Sequence, residues 1–228
     1  MKSPPAVRGK SRVRPDTKKK ILDAAEVLFA AHGYHPTSLR AITRAARVNL
    51  AAVHYHFGSK QALLEAVIAR RLTPLNAERQ TLLAALPATA VTAAILRAFL
   101  EPTLKLRDSS QGARHFIALV GRAMVEPDES VRSVFFSQMQ GLLEQLFARL
   151  GAALPHLSNQ ALYWRLFFAL GTLAHTMRMA DKFRQTPPEV STDVPTAELI
   201  EMLTGFISAG MEQNCQSGSP ETAGGDVS

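Results

Sequence analysis

The chain has 228 residues, enough to bury a sizeable core in one or two domains, and at 46% apolar with a mean hydropathy near zero its composition excludes a disordered protein. A single cysteine, Cys215, excludes an intrachain disulfide framework and any Cys-rich metal motif. The net charge of +7 is segregated: residues 1–60 hold twelve Lys or Arg against Asp16, Asp23 and Glu26, so the partner of that charge belongs to the N-terminal quarter.

Leu and Ala are abundant while alternating runs of Val, Ile and Thr are scarce, which predicts an all-α fold. No uncharged apolar run reaches the length of a bilayer span, and no apolar signal core follows the basic start; the expected compartment is the cytoplasm. Residues 1–15, with three prolines and five basic residues, are expected to be a disordered basic arm. The first helix is expected from Thr17 to about Ala31, with Ile21, Ala24, Ala25, Leu28 and Phe29 as its apolar stripe and Gly33 ending it in a left-handed turn. Lys18, Lys19 and Lys20 lie in its first turn, at the positive end of the helix dipole, where a nearby polyanion relieves the conflict.

Residues Thr37 to Lys60 read as two short amphipathic helices joined by a tight turn, a helix-turn-helix. Thr37 or Ser38 caps the first, and Asn49 the second. Leu39, Ile42, Ala45, Ala46, Val48, Val53 and Phe57 are expected to meet in a small core, leaving Arg40, Thr43, Arg44, Ala52, Tyr55 and His56 on the free face. Cations and helix ends suit phosphates, and a short helix with small groups suits a major groove. A solvated basic face and an anionic membrane surface are the competing readings.

Gly58 makes a turn, Ser59 caps a further helix running to about residue 70, and Pro74 is expected to kink or end it before a separate segment, Ala77 to Leu86. A larger helical domain follows, with helices expected at 89–107, 111–123, 128–150, 158–182 and 196–213; Pro102 implies an irregularity or early stop in the first of these, and Gly151 with Pro155 ends the third. The stretch Leu162 to Gly171 is apolar almost all round and must be covered on both sides. One side meets its own domain; the other is expected to meet a second copy of the chain through Trp164, Phe167, Gly171, Ala174, Leu203 and Phe206. The organisation is therefore a basic arm (1–15), a three-helix helix-turn-helix domain (16–70), a helical effector-binding and dimerisation domain (71–213) and a Gly-rich disordered tail (214–228).

The segments ILDAAEVLFAAHGY, TSLRAIT, ARVNLAAVHYHFGSK and QALL together resemble the DNA-binding domain of the tetracycline-repressor (TetR) family over about residues 16–65. The resemblance implies a homodimer docked on double-stranded operator DNA, with a C-terminal helical domain that binds an inducer. Carried onto this chain, it implies phosphate contacts from Thr37 or Ser38, Tyr55, His56 and Lys60. It places Arg44, Asn49, Leu50, Ala51 and His54 at or near the groove. The family often has glycine where this chain has Arg47 and tyrosine where it has His54; if the turn needs a positive φ, an arginine there costs roughly 1–2 kcal/mol, and the two readings are a phosphate contact by Arg47 that offsets this and a turn of another geometry that avoids it. A narrower similarity, in NLAAVHYHFGSKQALLEAV and RRLTPLNAERQ, is to proteobacterial regulators that respond to long-chain fatty acids or acyl-CoA.

These readings predict a repressor released from a palindromic operator by a small hydrophobic effector. Phe99, Phe116, Leu119, Phe135, Met139 and Phe168 are candidate walls for that effector, and His115, Arg122, His175 and Arg178 interrupt apolar helices where an acidic head group could be met. The alternatives are a regulator of the same fold that answers a cationic or aromatic drug-like compound and controls efflux, and a helical adaptor at membranes. An enzyme is disfavoured: the seven histidines form no HExxH or similar metal signature, and neither a phosphate-cradling loop nor a nucleophile elbow occurs. No cofactor is expected.

Overall fold

The computed structural model describes residues 15–123, 129–179, 187, 189–191 and 193–213. The expected basic arm, apart from Pro15, and the expected tail lie outside the described residues. Every regular element described is helical: α1 (Pro15–His32), α2 (Leu39–Ala46), α3 (Leu50–Phe57), α4 (Lys60–Ala85), α5 (Thr92–Leu104), α6 (Gln111–Ala123), α7 (Glu129–Ala153), α8 (Asn159–Met179) and α9 (Thr196–Glu212), with one 3₁₀ turn at Lys105–Asp108.

The first three helices form where the sequence supplies both a stripe and a stop. On α1, Ile21, Ala25 and Phe29 are completely buried, and Gly33, at φ +84°, donates its N–H to Phe29 O to end the helix. Ser38 supplies the cap of α2, its Oγ accepting from Ala41 N at 3.1 Å. Asn49 Oδ1 accepts from Ala52 N at 2.8 Å and Ser59 Oγ from Ala62 N at 3.0 Å, so α3 and α4 each start on a side-chain cap. One expectation about the small core is corrected. Thr43 is buried and Ala45 exposed, because Leu39, Ile42, Thr43 and Ala46 form the i, i+3, i+4, i+7 row while position 45 falls off it.

Pro74 does not break the chain into two helices. It sits inside the 26-residue α4, exposed, while Leu72, Leu75, Arg79 and Leu83 on the other side are buried against α5 and α7. The lost N–H costs roughly 3 kcal/mol, and the three buried leucines at about 1.5–3 kcal/mol each outweigh it. This continuous helix crosses the expected boundary at residue 70. Gly151 likewise fails to end α7, which runs on to Ala153. Pro102 lies two residues before the end of α5, where the chain tightens into the 3₁₀ turn.

One apolar cluster runs from Ile21 of α1 to Met211 of α9 without interruption. Two polar features are set into it. Arg79 of α4 is 3% exposed and donates to Phe99 O (3.1 Å), Asn76 Oδ1 (2.9 Å) and Thr103 Oγ1, with its guanidinium 4.3 Å from the centre of the Phe99 ring. Burial pulls that guanidinium down to about 10. Where α1 meets α4 and α6, Glu26, 2% exposed, accepts from Arg70 Nη2 and, bidentately, from Arg71 Nε (2.9 Å) and Nη2 (3.1 Å). Gly112 of α6 covers this cluster so closely that a Cβ there would overlap the Arg71 guanidinium.

Candidate nucleic-acid interface

Helices α2 and α3 bury Ile42, Ala46 and Val53 against α1 and α4, which fixes what remains on the outside. Exposed there are Arg40 and Arg44 on α2, Arg47 in the turn, and Asn49, Leu50, Ala51, His54 and Tyr55 on or just before α3; His56 is half-buried. Between Glu26 and Glu65 the chain carries no acidic residue, so this surface is uniformly cationic or neutral. Tyr55 is 74% exposed, with its ring set edge-on to His56 at 5.0 Å. The carbonyl of Gly58 lies 3.0 Å from His54 Nδ1 and can only accept, so Nδ1 carries the hydrogen and Nε2 is left for an outside partner. Lys18, Lys19 and Lys20 are exposed on α1, and Lys18 lies 5.9 Å over the Phe57 ring, which brings the start of α1 beside the end of α3.

Two members of the expected DNA-contacting set are engaged inward. Thr37 is 3% exposed and its hydroxyl points at Gly33 O (2.7 Å) and Leu28 O (3.3 Å), stapling the α1–α2 loop; Ser38 is the member of that pair at the surface. Lys60 donates to His35 O at 3.2 Å and lies 4.3 Å over the Tyr34 ring, whose hydroxyl donates to Gln61 Oε1. Thr37 and Lys60 therefore shape the platform from which the exposed residues project.

The expected effector residues separate into groups. Phe99, Phe116, Leu119 and Met139 are at most 4% exposed and packed in the common core; Phe135 and His115 are half-buried, and His175 is exposed. The side chains of Arg122 and Arg178 lie outside the described residues. Phe168 sits elsewhere, 61% exposed on α8. It lines a groove of about 690 Å³ with Arg165, Ala169 and Thr172 of α8 and Phe206, Ile207, Gly210 and Met211 of α9. Arg165 Nη1 donates to Met211 O across the floor of that groove at 2.5 Å.

Phe168 shares its face with much of the expected dimer set. Trp164 and Phe167 on α8 and Phe206 on α9 are 49%, 56% and 70% exposed, and the Trp164 ring stands 5.7 Å from Tyr163 and Phe167 and 6.2 Å from Phe168. Gly171 is exposed with open space above it, and Ala174 is half-buried. Leu203, in contrast, is 6% exposed and belongs to the chain's own core. Tyr163 and Met202 extend the patch beyond the expected residues; their places one turn from Phe167 and Phe206 were the available signal. Glu26 was also missed. It is one of three acids on α1, at a position flanked by Leu22, Phe29 and Ala30 on the side that packs.

The family model described as "Bacterial regulatory proteins, tetR family" matches residues 21–67, and the one described as "Tetracyclin repressor-like, C-terminal domain" matches residues 97–210. The chain is 36% identical over 52 residues to the HTH-type transcriptional regulator UidR of Escherichia coli (strain K12), a match covering 23% of this chain and 26% of UidR. It is 41% identical over 61 residues to the HTH-type transcriptional regulator SrpR of Pseudomonas putida, covering 27% of this chain and 29% of SrpR. These matches thus span little more than a quarter of either curated relative. The fold is similar over a longer stretch to the transcriptional regulator FadR from Bacillus subtilis in complex with stearoyl-CoA, with a TM-score of 0.64 at 15% identity over 84% of this chain and 98% of that one.

Proposed function

Because the chain belongs to the tetR family of bacterial regulatory proteins, we propose that it is a cytoplasmic, sequence-specific DNA-binding transcriptional regulator, a homodimeric repressor released from a palindromic operator by a small hydrophobic effector. The observation that carries the DNA reading is the acid-free outer surface of α2 and α3, with Arg44, Asn49, Leu50, Ala51, His54 and Tyr55 projecting from two capped helices. Small residues at the start of α3 let its backbone approach base edges, while the cations around it neutralise phosphates. Ser38 and His56 complete the backbone-contacting set.

The dimer reading rests on the aromatic face of α8 and α9. A two-fold axis through it buries Trp164, Phe167 and Phe206 of both copies and closes a four-helix contact. It also pairs two α3 helices, which must stand about 35 Å apart to enter successive major grooves. An effector acts by favouring a spacing other than this one.

For the effector, the half-buried Phe135 and His115 at the edge of the apolar packing of α5 to α8 are the starting points, with the neighbouring Phe99, Phe116, Leu119 and Met139 as walls once a ligand parts them. A fatty-acyl thioester is the class favoured, in line with the stearoyl-CoA bound by FadR.

Selection of bound duplexes from random DNA tests the first claim. Enrichment of an inverted repeat is expected, and no enriched site would sink it. Thermal denaturation with stearoyl-CoA and with isovaleryl-CoA tests the second: the expected result is a rise in melting temperature for one of them, together with release of the selected duplex. No shift with either removes the acyl-thioester reading.

A further inference from the structure

Arg47 is the one non-glycine among the described residues with a positive φ, at φ 54° and ψ 47°. The conformation is dictated by how α2 ends. Arg47 N–H bonds to Arg44 O at 3.3 Å and Val48 N–H reaches back to Thr43 O at 3.0 Å, the paired bonds of a Schellman turn, which require a left-handed residue at this place. That turn sets the angle at which α3 leaves α2. At the two other left-handed positions, Gly33 and Gly58, the same module uses glycine. Here it carries arginine, whose Cβ strains the turn where glycine would not.

Among the described residues, nothing in the fold uses this side chain. The Arg47 side chain is exposed and takes part in none of the hydrogen bonds, ion pairs or ring contacts found among the described residues. No carboxylate lies anywhere between Glu26 and Glu65 in the chain to attract it. Its position is one turn beyond Arg44 and two residues before Asn49, at the junction from which the start of α3 projects. A cation kept on a strained backbone, with no partner among the described residues, points to an anionic partner outside the fold.

We infer that Arg47 is a DNA-backbone contact: its guanidinium binds a phosphodiester of the duplex and fixes the depth and register of the start of α3 in the groove, the contact being bought with backbone strain. This rests on the DNA-binding reading. The ligand chemistry is a phosphodiester oxygen pair, which a guanidinium meets bidentately. Because the contact is to the backbone, it strengthens binding to all duplexes alike and adds nothing to base preference.

The test uses the full chain, a duplex recovered by selection, and three variants. R47G relieves the strain and removes the cation; R47A removes the cation but keeps the strain; R47K keeps a cation on the same backbone. R47G is expected to melt about 2–4 °C higher than wild type and to bind roughly five- to tenfold more weakly at moderate salt, with the slope of log affinity against log salt reduced by about 1 per bound subunit. R47A is expected to lose the same affinity and slope without the gain in melting temperature. R47K is expected to recover most of the slope and part of the affinity. The ratio of selected to unrelated duplex is expected to stay the same in all three. If wild type binds the duplex and R47G and R47A match it in affinity and slope, the inference fails alone. If wild type binds no duplex even at low salt, the DNA reading fails and takes the inference with it.

Discussion

Glu26 offers the sharpest check on how the two parts of the chain are joined. Its carboxylate, 2% exposed on α1, accepts two bonds from Arg71 and one from Arg70, both on α4, and Gly112 of α6 closes the cluster from the third side. These hydrogen bonds hold the Arg71 guanidinium above its ordinary value against the opposing effect of burial. Replacing Glu26 with Ala leaves two cations side by side. Breaking a buried pair costs about 3–5 kcal/mol; the low end, about 3 kcal/mol, applies because the Arg70 and Arg71 side chains keep 20% and 29% of their exposure and Arg70 retains Asp23 at 2.5 Å. Glu26→Gln keeps the shape and one acceptor, so about 1–2 kcal/mol is expected. Urea denaturation at one fixed chain concentration measures both, since subunit association otherwise adds to apparent stability. A double-mutant cycle with Arg71→Met should give a coupling of at least about 1.5 kcal/mol. Strict additivity, or a cost for Glu26→Ala under about 0.5 kcal/mol, would refute the assignment of this cluster as the clasp between α1 and α4.

Phe206→Glu combined with Phe167→Glu, at side chains already 70% and 56% exposed in the single chain, should leave the fold intact and yield a 24.8 kDa species in equilibrium sedimentation where wild type gives twice that mass; wild type sedimenting as a monomer at micromolar concentration would remove the dimer reading. Pro74→Ala restores a backbone donor on the exposed side of α4 but frees the unfolded chain, which offsets part of the roughly 3 kcal/mol, so stability should rise by about 1–2 kcal/mol in chemical denaturation, and a loss instead would mean that the helix depends on its proline. Arg97 on α5 hydrogen-bonds Glu201 on α9, and that bond lowers the Glu201 carboxyl below its ordinary value of 4.5. A group depressed on folding stabilises above its unfolded value, so the melting temperatures of wild type and Glu201→Gln should differ above pH 4.5 and converge as pH falls through the lower folded value; a gap that widens in acid would contradict the sign.

The helix-turn-helix was legible because each of its signals is local. Ser38, Asn49 and Ser59 cap helices whose first residues follow at once, and Gly33 and Gly58 mark turns that no other residue enters as cheaply. Chemistry that spans tens of residues left no comparable mark. Glu26 and Arg71 are 45 positions apart, and nothing in either neighbourhood names the other as its partner. Arg79 looks like any basic residue on the exposed side of a helix until α5 and α7 close over it and turn it into a buried donor to Phe99 and Thr103.

Pro74 was misread for a related reason. A proline's local cost is fixed by covalent geometry, whereas the burial that overrides it depends on which helices arrive at Leu72, Leu75 and Leu83. That override has a consequence for any switch. Because α4 is continuous, it carries Arg70 and Arg71 on the clasp with α1 and Arg79 in the core of the larger module, nine and eight residues away on one helix. At 1.5 Å per residue the two anchor points are about 12–14 Å apart. A tilt of α4 that moves Arg79 is therefore carried along the helix toward Glu26, and so to α1, with Pro74, whose missing N–H opens the ladder between the two anchors, as the place where α4 can bend.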